Sequence, residues 1–177
     1  MPDGSPLQPT PGSPATSPTD PDRTLLRHML ATVAYRTEKV VRDAPPEFAG
    51  LRVEPSVRTP LEILTHMGDL FDWALTMAQD RTEWKNAVPL EWGAEVVRFF
   101  DALTTFDTFL AGPAPVKTET IARLVQGAVA DALTHTGQLA MLRRLVGRPI
   151  RGESYARAEI AVGRTGLTQA TARFEFD

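Results

Sequence analysis

Apolar residues recur at steps of three and four along most of the chain after residue 21, and prolines punctuate the pattern. Four long proline-free intervals result, at 22–44, 61–88, 90–112 and 116–148. In the first, Leu26, Met29, Val33 and Val40 share a face. The second carries Ile63, Leu70, Trp73 and Met77; the third, Trp92, Val96, Phe99, Leu103, Phe106 and Leu110; the fourth, Ile121, Leu124, Ala128, Leu139, Leu142 and Val146. Such stripes are the seams by which helices face one another in a bundle. The boundaries agree. Thr59-Pro60-Leu61-Glu62 reads as an N-cap with proline at N1 and glutamate at N3, and Asp20-Pro21 opens the first helix in the same way. Thr118 is placed as the cap of the fourth helix, and Gly147 with Pro149 beyond it as its stop. The expectation is an all-α four-helix bundle over residues 22–150, with long connections around 44–58 and 80–89.

The ends differ from this middle. Residues 2–21 hold seven of the fifteen prolines among Ser, Thr and Gly. With so little to bury, they are expected to form a flexible tail over 1–21. Residues 151–177 are expected to be a mostly irregular extension packing on the bundle, with a short helix at 154–162.

Composition narrows the function. Lys and Arg number 19 against 22 Asp and Glu, a net charge of −3 that speaks against a nucleic-acid partner. Cysteine is absent, which excludes disulfides, thiolate ligands and a cysteine nucleophile. No uncharged apolar run approaches the roughly 18 residues of a membrane span, and no secretory leader precedes the helices, so a cytoplasmic location without membrane contact is expected. There is no GxSxG elbow, no phosphate-binding glycine loop and no Glu-x-x-His pair of a di-iron bundle.

Ionisable residues interrupt the seams. His66 falls between Ile63 and Leu70 on the second stripe. Asp131 and His135, one turn apart, fall between Ala128 and Leu139 on the fourth. Inward imidazoles and carboxylates are costly unless paired or bound to a cation. Either a divalent ion held by His66, Asp131 and His135, with positions left open for water or substrate, or internal hydrogen bonds would satisfy them. Arg36 replaces an apolar residue on the first stripe, as a clamp for an anionic substrate or cofactor or as an internal ion-pair partner. Asp69 is expected in solvent and His28 on the surface. Phe99, Phe100 and Phe106 on the third helix offer more aromatic surface than one narrow seam requires, but the sequence places no dimer interface.

The segment Asp131-Ala-Leu-Thr-His135-Thr-Gly137-Gln138-Leu139, followed by Leu142-Arg143-Arg144-Leu145-Val146-Gly147, resembles the last helix of the DinB/YfiT-like family, whose signature is roughly H-x-x-x-H-x-G-Q-L. Leu64-Thr65-His66-Met67, after its capped start, is similar to that family's second-helix histidine. The resemblance implies a four-helix bundle, a homodimer, and a divalent metal (Zn, Ni, Mn or Fe) held by His66, Asp131 and His135. Asp131 stands where a histidine is typical, which changes the charge at the ion and leaves the metal's catalytic role open. The family link implies a transferase or hydrolase that activates water or a low-molecular-weight thiol such as mycothiol or bacillithiol against a small-molecule substrate, in stress responses. The alternative is a non-catalytic bundle that binds a small molecule or partner around a structural or vestigial metal.

Overall fold

The computed structural model describes residues 15–177. The chain is all-α, with four short strands at its margins. Strand β1 (Ala15–Thr16) leads into α1 (Pro21–Val41), α2 (Pro60–Ala78) and α3 (Trp92–Ala111). Strand β2 (Val116–Lys117) precedes a last rod made of α4 (Thr118–Leu124), a π-helical turn (Val125–Val129) and α5 (Ala130–Leu145). The extension adds β3 (Gly152–Glu153), a 3₁₀ turn (Tyr155–Arg157) and β4 (Glu175–Phe176).

The caps form as the sequence predicts, with one shift. Asp20 accepts from the backbone of Asp22 and Arg23. Thr59 and Glu62 close a reciprocal capping box. At the fourth helix the N-cap is Lys117, one residue before the expected Thr118. Gly147, at φ 70°, ends α5. Its N–H reaches Arg144 O and the Arg148 N–H reaches Arg143 O, the paired bonds of a Schellman stop.

α2 packs mainly on α3, α1 touches α3 and α5, and α2 touches α5, so the helices close around one core. Leu26, Leu30 and Val33, Leu64, Met67 and Phe71, Phe99, Leu103 and Phe106, and Leu124, Ala128 and Leu139 fill it. Phe99, Phe100 and Phe106 are all buried there, so the surplus aromatic surface on the third helix is core.

Buried arginines close the helix ends. Arg23 donates to the carbonyls of Phe109 and Leu110 in the last turn of α3, to those of Gly112 and Ala114 just beyond it, and to Thr16 O. Arg143 donates to Val40 O and Arg42 O at the end of α1. A cation on the last carbonyls of a helix satisfies orphan acceptors and complements the helix dipole.

Residues 1–14 of the expected flexible tail lie outside the described residues. The rest of it, residues 15–20, is held: β1 pairs antiparallel with β2, Thr16 Oγ1 donates to Val116 O, and Arg23 grips Thr16 O. The extension is also anchored. Lys39 on α1 meets Glu153 at 2.8 Å and Glu175 at 2.7 Å, and Tyr35 donates to Glu153 at 2.8 Å. In place of the expected helix at 154–162 there is only the single 3₁₀ turn Tyr155–Arg157, which follows the short β3–β4 pairing.

Candidate metal centre

α2 turns its centre, Leu64, Met67, Phe71 and Ala74, fully into the core. The stripe His66, Trp73, Met77 therefore lies at the edge of the buried face, on the side toward α5. The last rod behaves similarly. Its π turn holds one residue more than an α turn, and from the turn's last residue, Val129, onward the buried face also takes in Ala132, Thr136 and Arg143, each one residue beyond the expected stripe. Asp131 is correspondingly left on the rim, with its side chain 43% exposed.

These two edges face one another. His66 Nε2 lies 3.3 Å from Asp131 Oδ2, and His135 Nε2 lies 3.4 Å from Asp131 Oδ1. One carboxylate oxygen thus serves each imidazole. The rings stand edge to face with centroids 5.0 Å apart. One ligand atom from each residue can be chosen so that all three lie within 4.8 Å of one another.

The protonation pattern suits a cation. Partial burial pushes the His66 pKa below its usual 6.5, against the opposing hydrogen bond to Asp131, with nearby Arg58 and His135 lowering it further. His66 is neutral at pH 7, as a ligand must be. His135 Nδ1 lies 2.7 Å from Gln138 Oε1. With the amide oxygen on that side, Nδ1 donates to it, and in the neutral ring this leaves Nε2 with its lone pair toward Asp131. A lone pair facing a carboxylate at 3.4 Å is unfavourable until a cation or proton lies between them. The donor set, two imidazoles and one carboxylate with its outer nitrogen oriented by a neighbour, fits a divalent transition metal.

Two clefts flank the cluster. One, of about 530 Å³, is lined by His66, Asp131, Trp73 and Trp84. The other, of about 710 Å³, is lined by His135, Gln138, Arg58 and aliphatic side chains, and Thr134 borders both. Trp84 arrives from the irregular connection between α2 and α3, its ring centroid 5.6 Å from that of His66 and 6.1 Å from that of Trp73.

The other sequence candidates lie elsewhere. The Arg36 guanidinium sits 4.5 Å from the Tyr155 ring centre, its Nε is buried without a hydrogen-bond partner, and it lines neither cleft. The expected anion clamp is not brought to the triad. His28 is exposed on α1. Asp69 is buried and not solvated, between Arg98 at 3.2 Å and the Ala87 N–H. Sequence reasoning assigned no site role to Gln138, Arg58 or Trp84. Gln138, three residues after His135, carried a usable signal in that spacing. Arg58 and Trp84 reach the site from connections, where no periodicity marks them.

No helix among the described residues is long and apolar enough to cross a membrane. No family model, no curated protein and no solved structure matched the chain.

Proposed function

We propose that the protein is a divalent-metal-dependent enzyme of DinB/YfiT-like type, built as a four-helix bundle and acting on a small molecule. His66, Asp131 and His135 are the ligands. The reading is carried by one observation: donor atoms from two helices, 65 residues apart in sequence, lie within 4.8 Å of one another beside open clefts. A bound Zn, Ni, Mn or Fe ion would supply Lewis acidity, lowering the pKa of a bound water or of a low-molecular-weight thiol such as mycothiol or bacillithiol. The chain's own groups do the rest. Gln138 accepts from His135 Nδ1, Asp131 offers one oxygen to each imidazole, and Trp84 and Trp73 wall the cleft beside His66. A cytoplasmic homodimer belongs to the same reading.

After the three ligands, Arg58 is the only ionisable side chain among the described residues that lines either cleft. The same feature favours a second reading, a non-catalytic binding bundle with a structural metal. Elemental analysis of the purified protein tests the centre. About one equivalent of divalent metal is expected in the wild type, with loss in His66→Ala and in His135→Ala. A metal-free wild type, whose affinity for added Zn²⁺ or Ni²⁺ is unchanged by either substitution, would refute it. Exchangeable water at the bound ion, seen by relaxation with Mn²⁺ loaded, separates the catalytic reading from the structural one.

A further inference from the structure

The larger cleft begins at the triad, where His135 and Gln138 form its end, and follows α5 to Leu145. Ten residues of helix make it roughly 15 Å long. Val53, Val57 and Ile63 form one wall; Met141 and Leu145, 59% and 60% exposed, form the other. Water contacts these aliphatic side chains although most of the chain's aliphatic residues are packed. At about 710 Å³ the groove has the capacity of a small-molecule site. Its only full charge is Arg58, at the foot of the 53–58 connection. Arg58 makes no hydrogen bond or ion pair among the described residues. The nearest acid of that connection is occupied: Glu54 accepts from the Ser56 backbone at 2.9 Å and from the Ser56 hydroxyl. Glu62, at the start of α2, is held by Arg52. One unpaired cation in an otherwise uncharged apolar groove complements an anion carried on an aliphatic body.

We propose that this groove binds a small amphipathic anion, its aliphatic part along Val57, Ile63, Met141 and Leu145, its anionic group on Arg58, and one end presented to the His66–Asp131–His135 cluster. As the enzyme's substrate class this rests on the metal reading; as a binding site it does not. The groove's length suits a medium acyl chain better than a compact polar metabolite.

Calorimetric titration of the full chain, stripped with chelator, with sodium decanoate below its micellar range tests it. Decanoate binds, and the cationic decyltrimethylammonium binds at least tenfold more weakly. Arg58→Gln weakens decanoate about tenfold, the worth of one charge-assisted contact. Met141→Asp, at an exposed position that leaves the core intact, abolishes it. Absent decanoate binding, equal affinity for the cation, or indifference to Arg58→Gln would each overturn the proposal. So would a concentration-dependent dimer that Met141→Asp dissolves, which assigns the groove to a second copy. Decanoate binding by a protein that takes up no divalent metal would sustain the groove and sink the metal reading; metal uptake without decanoate binding would do the reverse.

Discussion

Gln138 offers the sharpest test of how the centre is organised. Replacing it with leucine removes the acceptor 2.7 Å from His135 Nδ1 and keeps a good helix former of similar size. Without that acceptor the His135 proton is free to move to Nε2, where it would block the lone pair aimed at Asp131. A single hydrogen bond contributes about 1 kcal/mol, and groups that orient a ligating histidine are worth about 10- to 100-fold in metal affinity. Gln138 is exposed, so water competes for the same contact. The effect therefore belongs at the low end, about tenfold, or about 1.4 kcal/mol. Chelator competition with Zn²⁺ measures it, and ¹⁵N NMR of the metal-free protein reports the tautomer independently. Gln138→Glu keeps an acceptor and adds charge, so its affinity should equal or exceed that of the wild type. Leucine and glutamate variants that lose affinity equally, or a leucine variant within twofold of wild type with an unchanged tautomer, would refute the assigned role.

The anchoring of the extension yields two further expectations. Lys39→Met leaves the fully buried Glu153 without its cation, a loss of about 3–5 kcal/mol; at roughly 2–4 °C per kcal/mol for a chain of this size, calorimetry should register a fall of about 6–20 °C. Adding Glu153→Leu should recover much of it, and a fall under about 3 °C for Lys39→Met would contradict a buried pair. The second concerns pH. The hydrogen bond from Lys39 holds Glu175 below its usual 4.5, so its contribution is present above that value and disappears as pH falls through the depressed pKa. Burial lowers the Lys39 pKa, but its bonds to Glu153 and Glu175 more than offset this and raise it above 10.5. That share therefore persists through neutral pH and is lost only in strong alkali. Hydrogen exchange in residues 151–177 should accelerate selectively below about pH 4.5, and Glu175→Gln should flatten the dependence. Uniform acceleration across the whole chain would refute the selective release.

The helices and their ends were readable because their causes are local: a repeat of three and four, a capping threonine three residues before a glutamate, a glycine able to take φ 70°. His66, Asp131 and His135 were likewise marked by falling on apolar stripes. Their depth was not. Periodicity assigns a face within about a residue, and that residue decides between core and edge. Leu64 and Met67 took the centre of α2, leaving His66 beside solvent. Long-range partners were also hidden. A carboxylate such as Asp69 appears solvated until Arg98, on another helix, settles over Gly68, where a Cβ would lie only 2.6 Å from the guanidinium. Phenylalanines counted as surplus for one seam proved necessary once α3 was seen to touch both α1 and α2. The extension carried no repeat at all, since its position follows from Lys39 on a distant helix.

The π turn at Val125–Val129 separates two quantities that an unbroken rod ties together, how far along it a side chain stands and which way it points. Ile121 and Leu124 fix the near end, Leu139 and Leu142 the far end, and the surplus residue absorbs the twist between them. In this helix a one-residue change of length is a change of heading rather than of reach. The aim of Asp131 and His135 toward α2 is tied to the seating of Leu139 and Leu142, which share α5 with them beyond the turn.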